Sequence, residues 1–231
     1  MVSIITCTIR DECMDNIFNN YQQQTWKEKE LIIILNKNSM DIDRWIKKAK
    51  NYPNVQVFQL YENATLGDCL NFGVLNSSYD IIAKFDDDDY YGPDYIKNAL
   101  LVFEDPNISI VGKNSIYIYI KNKKALIHVQ GAENTMSDTV AGATLMFRKN
   151  LFYYIRFEKV NRAEDYFFID QCKKLDFNIF STDRFDFAVI RHDSENHTWK
   201  IDDDDLMGWG DLVGYMDDFQ SVVSNQKSTL I

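Results

Sequence analysis

The sequence predicts an α/β protein built on a mainly parallel, doubly wound sheet with a smaller mixed or antiparallel region. Three observations carry that expectation. Short β-branched runs recur through the first half of the chain, helical patterns separate them, and an acidic run follows the fourth apolar run. In open α/β sheets ligands bind just beyond the carboxyl ends of the strands, so the acids stand where a ligand would sit.

In chain order, residues 2–8 form a β-branched run suited to a buried strand. Residues 11–24 then carry a helical pattern through Met14, Ile17, Phe18 and Tyr21. Residues 30–35 are a second apolar strand, and Ser39 or Asp41 can cap the helix that contains Trp45 and Ile46. Residues 55–60 alternate as a third strand and 66–75 read as a helix. Residues 80–86 form the core strand that ends in the acids. In the second half, residues 115–120 and 125–129 flank Lys121 to Lys124 as a hairpin. Residues 142–148, 178–181 and 187–191 read as strands, and 165–175 as a helix. Trp209, Val213, Met216 and Phe219 space out as a helical stripe, so a helical tail is expected over 206–223. One domain is expected, with a nucleotide-binding half over 1–110, a catalytic and acceptor half over 111–200, and the tail over 201–231.

Of 231 residues 45% are hydrophobic, enough for a sizeable core, and 35 acids against 25 bases leave a net charge of -10. That balance argues against a nucleic-acid partner, because phosphate backbones are bound by basic patches. Cys7, Cys13, Cys69 and Cys172 are scattered without metal-ligand spacing, which fits reduced thiols. With no signal-like h-region and no run of about 18 apolar residues, a soluble, cytoplasmic protein without an integral membrane segment is expected.

The acidic run is Lys84-Phe85-Asp86-Asp87-Asp88-Asp89-Tyr90-Tyr91-Gly92-Pro93. Like charges this close repel, so such a run lies in solvent or holds a cation. In extended backbone Asp86 and Asp88 point to one side and Asp87 to the other, so Asp86 and Asp88 can offer hard oxygens to Mg2+ or Mn2+. A P-loop partner is missing, since no G-x-x-x-x-G-K-S/T stretch exists. A calcium loop starting at Asp87 fails as well, with Tyr91 and Asn98 where oxygen ligands belong. The second run, Asp202 to Asp205, reads as a solvated helix start.

Taken in order, the blocks resemble the family 2 glycosyltransferases of GT-A fold over nearly the whole chain. They are residues 2–8, 66–73, 81–93, 142–147 and 163–168, and 191–199 with His197-Thr198-Trp199. The resemblance implies an Asp-x-Asp element at Asp86 and Asp88, with Asp86 near the donor ribose and Asp88 on a divalent cation, Mn2+ or Mg2+, that bridges the donor diphosphate. Asp87 is a further donor-site candidate. Glu164-Asp165 matches the family's acidic pair, Asp165 being the implied general base; residue pattern alone favours acids in a first helical turn, and the order of the blocks reverses that preference. His197, or His192, corresponds to a further metal or phosphate ligand, while His128 on the hairpin reads as structural. Arg191 and Lys84 could meet the diphosphate or form ordinary ion pairs. Thr8 and Arg10 stand where the family contacts the base, and Asn71 falls in a matched block and is assigned to the donor. The family often reads uracil with an acid where Asn36 to Ser39 stand; that acid is missing here, an amide of Asn36 or Asn38 can still bond the base, and UDP stays the first choice of donor, with dTDP and GDP open.

The function so implied is a metal-dependent, inverting glycosyltransferase acting on a nucleotide-sugar donor and a glycan, lipid-linked or other hydroxyl acceptor. The acceptor side is expected around 113–139 and the tail. Two other readings stand beside it. A sugar-phosphate nucleotidyltransferase would need a glycine-rich loop after the first strand, where 7–12 has no glycine. A non-catalytic nucleotide-sugar-binding module would not need Asp165 in the same cleft as Asp86 and Asp88.

Overall fold

A computed structural model of the protein describes residues 1–192 and 201–224. Four parallel strands, β1 (Val2–Thr8), β2 (Lys29–Leu35), β3 (Val55–Gln59) and β4 (Ile81–Lys84), lie in the order β3-β2-β1-β4. Chain order reverses at β1, so a crevice opens between the carboxyl ends of β1 and β4. The period-2 alternation of β2 sorts its side chains onto two cores. Leu31, Ile33 and Leu35 pack with Ile17 and Phe18 of α1 (Met14–Gln23) and Trp45 of α2 (Ile42–Ala49). Ile32 and Ile34 pack instead with Leu70 and Val74 of α3 (Leu66–Asn76). The expected doubly wound arrangement is therefore present, with helices on both faces. Asp41 caps α2 by accepting from the backbone N–H groups of Asp43 and Arg44, which decides between the two expected caps.

Beyond β4 the main sheet turns mixed. After the two-residue strand β5 (Tyr90–Tyr91) and α4 (Tyr95–Val102), β6 (Ile108–Gly112) runs parallel to β4 but is separated from it by an antiparallel strand. That strand is β10 (Met146–Arg148), which follows β7 (Ile116–Ile120), β8 (Ala125–Val129) and β9 (Thr135–Met136) in the chain. The sheet continues past α5 (Glu164–Lys174) with β11 (Asn178–Ser181) on β6 and ends on β9. Residues 142–148 are thus only half strand: Gly142–Thr144 form a 3-10 turn, and only the last three residues pair.

The hairpin of β7 and β8 is antiparallel as expected and belongs to a second, five-stranded sheet with β5 and β12 (Phe187–Arg191). The fifth strand corrects the expected helical tail. A short helix, α6 (Asp203–Met207), and a single turn, α7 (Gln220–Val223), flank β13 (Asp211–Tyr215), which pairs antiparallel with β8. Glycines explain the change: Gly208, Gly210 and Gly214 weaken a helix. A Cβ at Gly210 would lie 2.4 Å from the His128 carbonyl, so this backbone approaches β8 only because the side chain is absent.

Asn71 has a different place from the one expected. Its Nδ2 donates to the Phe157 carbonyl at 2.9 Å and its Oδ1 accepts from the Phe157 N–H at 3.0 Å. Both ends of the amide are consumed in tying α3 to the segment before α5, so Asn71 is a latch rather than a donor contact. Asn71→Ala removes two half-buried hydrogen bonds and is expected to lower stability by about 2 kcal/mol in urea unfolding. A loss below about 0.5 kcal/mol would contradict the latch.

Candidate active site

The acids emerge at the crevice. β4 ends at Lys84, so Asp86 to Asp89 lie in bends rather than on the strand, yet their exposure still alternates: Asp86 and Asp88 are half-exposed, Asp87 and Asp89 buried. Partner groups account for the division. Asp87 accepts from the Thr8 hydroxyl and pairs with the Arg10 guanidinium, so both residues at the end of β1 turn inward to it. Burial raises the Asp87 carboxyl above its usual range, opposed by Arg10. Arg10 also reaches Asp88 at 2.9 Å.

Asp89 is deeper still. Its Oδ1 accepts from the Ile190 N–H of β12 at 3.0 Å, which joins the acidic turn to the second sheet. Burial, then repulsion from Asp88 and Asp86, pushes its carboxyl well above the ordinary value. The turn is clamped from the other side by α1. Asn16 Nδ2 donates to the carbonyls of Asp87 and Asp89, and Asn20 Nδ2 to that of Asp89 at 2.8 Å. Asn20 Oδ1 accepts from the Tyr91 N–H at 3.2 Å. Asn20 is a buried polar residue on the apolar face of α1, and that mismatch was a sequence signal pointing to this role.

A single buried lysine connects the two acidic groups. Lys84 Nζ lies 2.5 Å from Asp86 Oδ1 and 3.9 Å from Glu164 Oε1. Burial alone would lower its pKa, but Asp86, Glu164 and Asp165 together outweigh burial and hold the ammonium charged. Glu164 is buried, and its carboxyl is raised by that burial against the opposing pull of Lys84. Asp165 is half-buried beside it. The chain enters α5 through Ala163 in the left-handed region, φ 61°, a costly conformation for a non-glycine residue. Gly142 completes the fit, since a Cβ there would fall 1.4 Å from Asp165 Oδ2. One further link is aromatic: the Tyr91 hydroxyl accepts from the Asp86 N–H at 2.8 Å and donates to the Ala143 carbonyl at 2.6 Å. Nothing local in the sequence pointed to this bridge.

Other expected residues are distributed differently. Asn36 Nδ2 donates to the Tyr61 carbonyl, and Asn38 is latched to Glu62, both at the carboxyl edge of the sheet near β1. Arg191 does not stand open to the crevice: it is 2% exposed, donates to the Ile201 carbonyl and lies 3.5 Å from Asp203, so it anchors the segment before α6. His192 follows β12 and is half-buried, while His197 lies outside the described residues. His128 is structural, its Nε2 2.7 Å from the Ser115 hydroxyl. Among the described residues no three Asp, Glu, His or Cys side chains form a cage for a metal. None of their helices is long and apolar enough to cross a membrane.

A doubly wound sheet with acids at its switch point, and a second acidic pair reached through one lysine, defines an α/β domain of GT-A fold. The chain belongs to glycosyl transferase family 2, whose family model matches residues 3–173. Solved structures with the same fold include TarS 1-349 from S. aureus in complex with UDP-GlcNAc, at 16% identity and TM-score 0.65, covering 83% of this chain and 59% of that one. TarS 1-349 with UDP gives 18% identity and TM-score 0.64, covering 82% and 60%. The mannosyltransferase PcManGT from Pyrobaculum calidifontis, in complex with GDP-Man and Mn2+, gives 13% and 0.61, covering 82% and 56%. The chain therefore spans about three fifths of the length of these neighbours. No curated protein matches it.

The raised Asp89 carboxyl has a stability consequence. A group whose folded pKa lies above its unfolded value stabilises below the unfolded pKa and loses that contribution as pH rises. Asp89→Asn keeps an oxygen for the Ile190 N–H and removes the buried charge. The variant is expected to gain stability over wild type as pH rises from 4 to 8, followed by thermal unfolding. A constant or falling difference would contradict the assignment.

Proposed function

We propose that the protein is a metal-dependent, inverting glycosyltransferase that moves one sugar from a nucleoside diphosphate donor, UDP foremost, to a hydroxyl acceptor. The observation that supports the reading is the Lys84 bridge, which ties Asp86 of one acidic pair to Glu164 of the other. A binding module has no need of that coupling. The complexes of TarS with UDP-GlcNAc and of PcManGT with GDP-Man and Mn2+ support the donor class and the metal.

Asp88 and Asp86 fit a divalent ion. They are the two half-exposed acids of the run, and a small hard cation is commonly held by one or two carboxylates together with substrate phosphates. When bound, Mn2+ or Mg2+ supplies positive charge to the leaving diphosphate. Arg10 sits against Asp87 and Asp88 and adds charge of the same sign at the diphosphate. Asp165 accepts the proton of the acceptor hydroxyl as that oxygen bonds to the anomeric carbon and the bond from carbon to the diphosphate oxygen breaks. With one displacement from the face opposite the leaving group, the anomeric configuration inverts. Lys84 holds Asp86 and Glu164 in register, and Glu164 keeps the lysine oriented.

Asp165→Asn is expected to lower turnover by about 10²- to 10⁴-fold while donor affinity stays within about twofold, measured by nucleoside diphosphate release and by titration. NMR of the product's anomeric proton is expected to show inversion. Turnover near the wild-type rate would remove Asp165 from the base role, and retained configuration would overturn the single displacement.

A further inference from the structure

All four cysteines are free thiols, but two of them, far apart in sequence, meet in the fold. Cys7 stands on β1 and Cys69 on α3. Both belong to the apolar cluster between the main sheet and α3, and their side chains are joined by a hydrogen bond. Backbone packing brings them together. Side chains alternate along β1, so Ile5 and Cys7 share the face that meets α3, and Cys69 and Gly73 lie one turn apart on the facing side of that helix. A Cβ at Gly73 would fall 2.5 Å from Ile5 Cγ2, so helix and strand approach this closely only because that side chain is absent. One turn back toward the start of α3, the same approach sets Cys69 against Cys7. A cross-link requires such closeness, since cysteines whose Cα atoms lie more than about 7 Å apart cannot be bridged without backbone movement.

The two thiols differ in access and in acidity. Cys7 is half-buried and Cys69 has no exposed surface, so a reagent reaches the pair through Cys7. The hydrogen bond to Cys69, then burial, raises the Cys7 thiol, while the Lys84 ammonium pulls it down. That ammonium is close because Ile5 pairs with Lys84 across β1 and β4, which puts Cys7 on the diagonal from it on the same face. The shared hydrogen bond lowers the Cys69 thiol against its burial. Cys13 and Cys172 differ from this pair. Burial, ahead of every other cause, pushes each of their thiols up to about 12, which leaves them inert.

We propose that Cys7 and Cys69 are a redox-active dithiol that low-molecular-weight aliphatic disulfides oxidise reversibly, cross-linking β1 to α3 beside Lys84. Cys7 gives up its proton and attacks one sulfur of the reagent RSSR. A mixed disulfide forms, and the released RS− takes up a proton as RSH. The Cys69 thiolate then attacks the Cys7 sulfur, the bond from that sulfur to SR breaks, and the second RS− takes up the proton that Cys69 gave. The cysteines lose two electrons and two protons together, and RSSR becomes two RSH. The new bond fixes the first turns of α3 to the end of β1, from which Thr8 and Arg10 reach Asp87. No step uses the acids, so the couple stands whether or not the chain transfers a sugar.

The test is incubation of the reduced full chain with excess oxidised glutathione, followed by thiol counting after denaturation, intact mass and a non-reducing digest. Wild type is expected to lose two of its four thiols and the mass of two hydrogens, to yield one peptide joining Cys7 to Cys69, and to recover all four thiols in dithiothreitol. Cys69→Ser is expected to stop at the mixed disulfide, gaining one glutathionyl group on Cys7. Cys7→Ser is expected to keep its three remaining thiols. Retention of all four thiols in wild type would overturn the proposal. So would a product that stops at glutathionylated Cys7, or one in which Cys13 or Cys172 is oxidised first. The wild-type digest alone decides these outcomes, so the proposal can fail even if a serine variant does not fold.

Discussion

The site depends on one buried ammonium. Lys84 is the last residue of β4, 4% exposed, and Asp86, Glu164 and Asp165 hold its charge against burial. Removing a partner would leave part of the buried charge uncompensated, a cost that the partial exposure of Asp86 moderates. The acidic turn after β4 and the start of α5 are therefore held to each other by more than proximity. The Tyr91 hydroxyl repeats the connection in neutral form, joining the Asp86 N–H to the Ala143 carbonyl beside Gly142 and Asp165.

Four successive aspartates are tolerable because they are not equivalent. Asp87 and Asp89 turn inward, one to Thr8 and Arg10 and the other to the β12 backbone, and they fix the turn to β1 and to the second sheet. Asp86 and Asp88 turn outward with a cation against each, Lys84 and Arg10. The inward pair fixes the turn, and the outward pair stays half-exposed beside Lys84 and Arg10. A run that reads in sequence as one charge cluster is a structural joint at Asp87 and Asp89 and a half-exposed surface at Asp86 and Asp88.

The first half of the chain was legible because its signals are local. The β-branched runs of β1 and β2, the alternation in β3 and the cap at Ser39 or Asp41 carry their structure within a few residues; the acidic run stood out after the fourth apolar run, and Glu164-Asp165 was singled out through the order of the blocks. What could not be read depends on contacts distant in sequence. β10 inserts antiparallel between β4 and β6, and 211–215 become a strand because β8 offers an edge and Gly210 allows the approach, although the apolar spacing there suits a helix. The same applies to side chains. Asn71 looked like a donor contact but is spent on Phe157. Arg191 looked available to a diphosphate but is buried against Ile201 and Asp203. The pairing of Glu62 with Asn38 spans two loops and had no local sign.

The central claim is that Asp86 and Asp88 hold a nucleoside diphosphate through a divalent cation. It is tested most directly by calorimetric titration of UDP and GDP with and without Mn2+, on wild type and on Asp88→Ala. The account predicts that wild type binds in Mn2+, and that omitting the metal or removing Asp88 weakens binding by at least about a hundredfold. Nucleotide affinity that is unchanged without Mn2+ and unchanged in Asp88→Ala would contradict it.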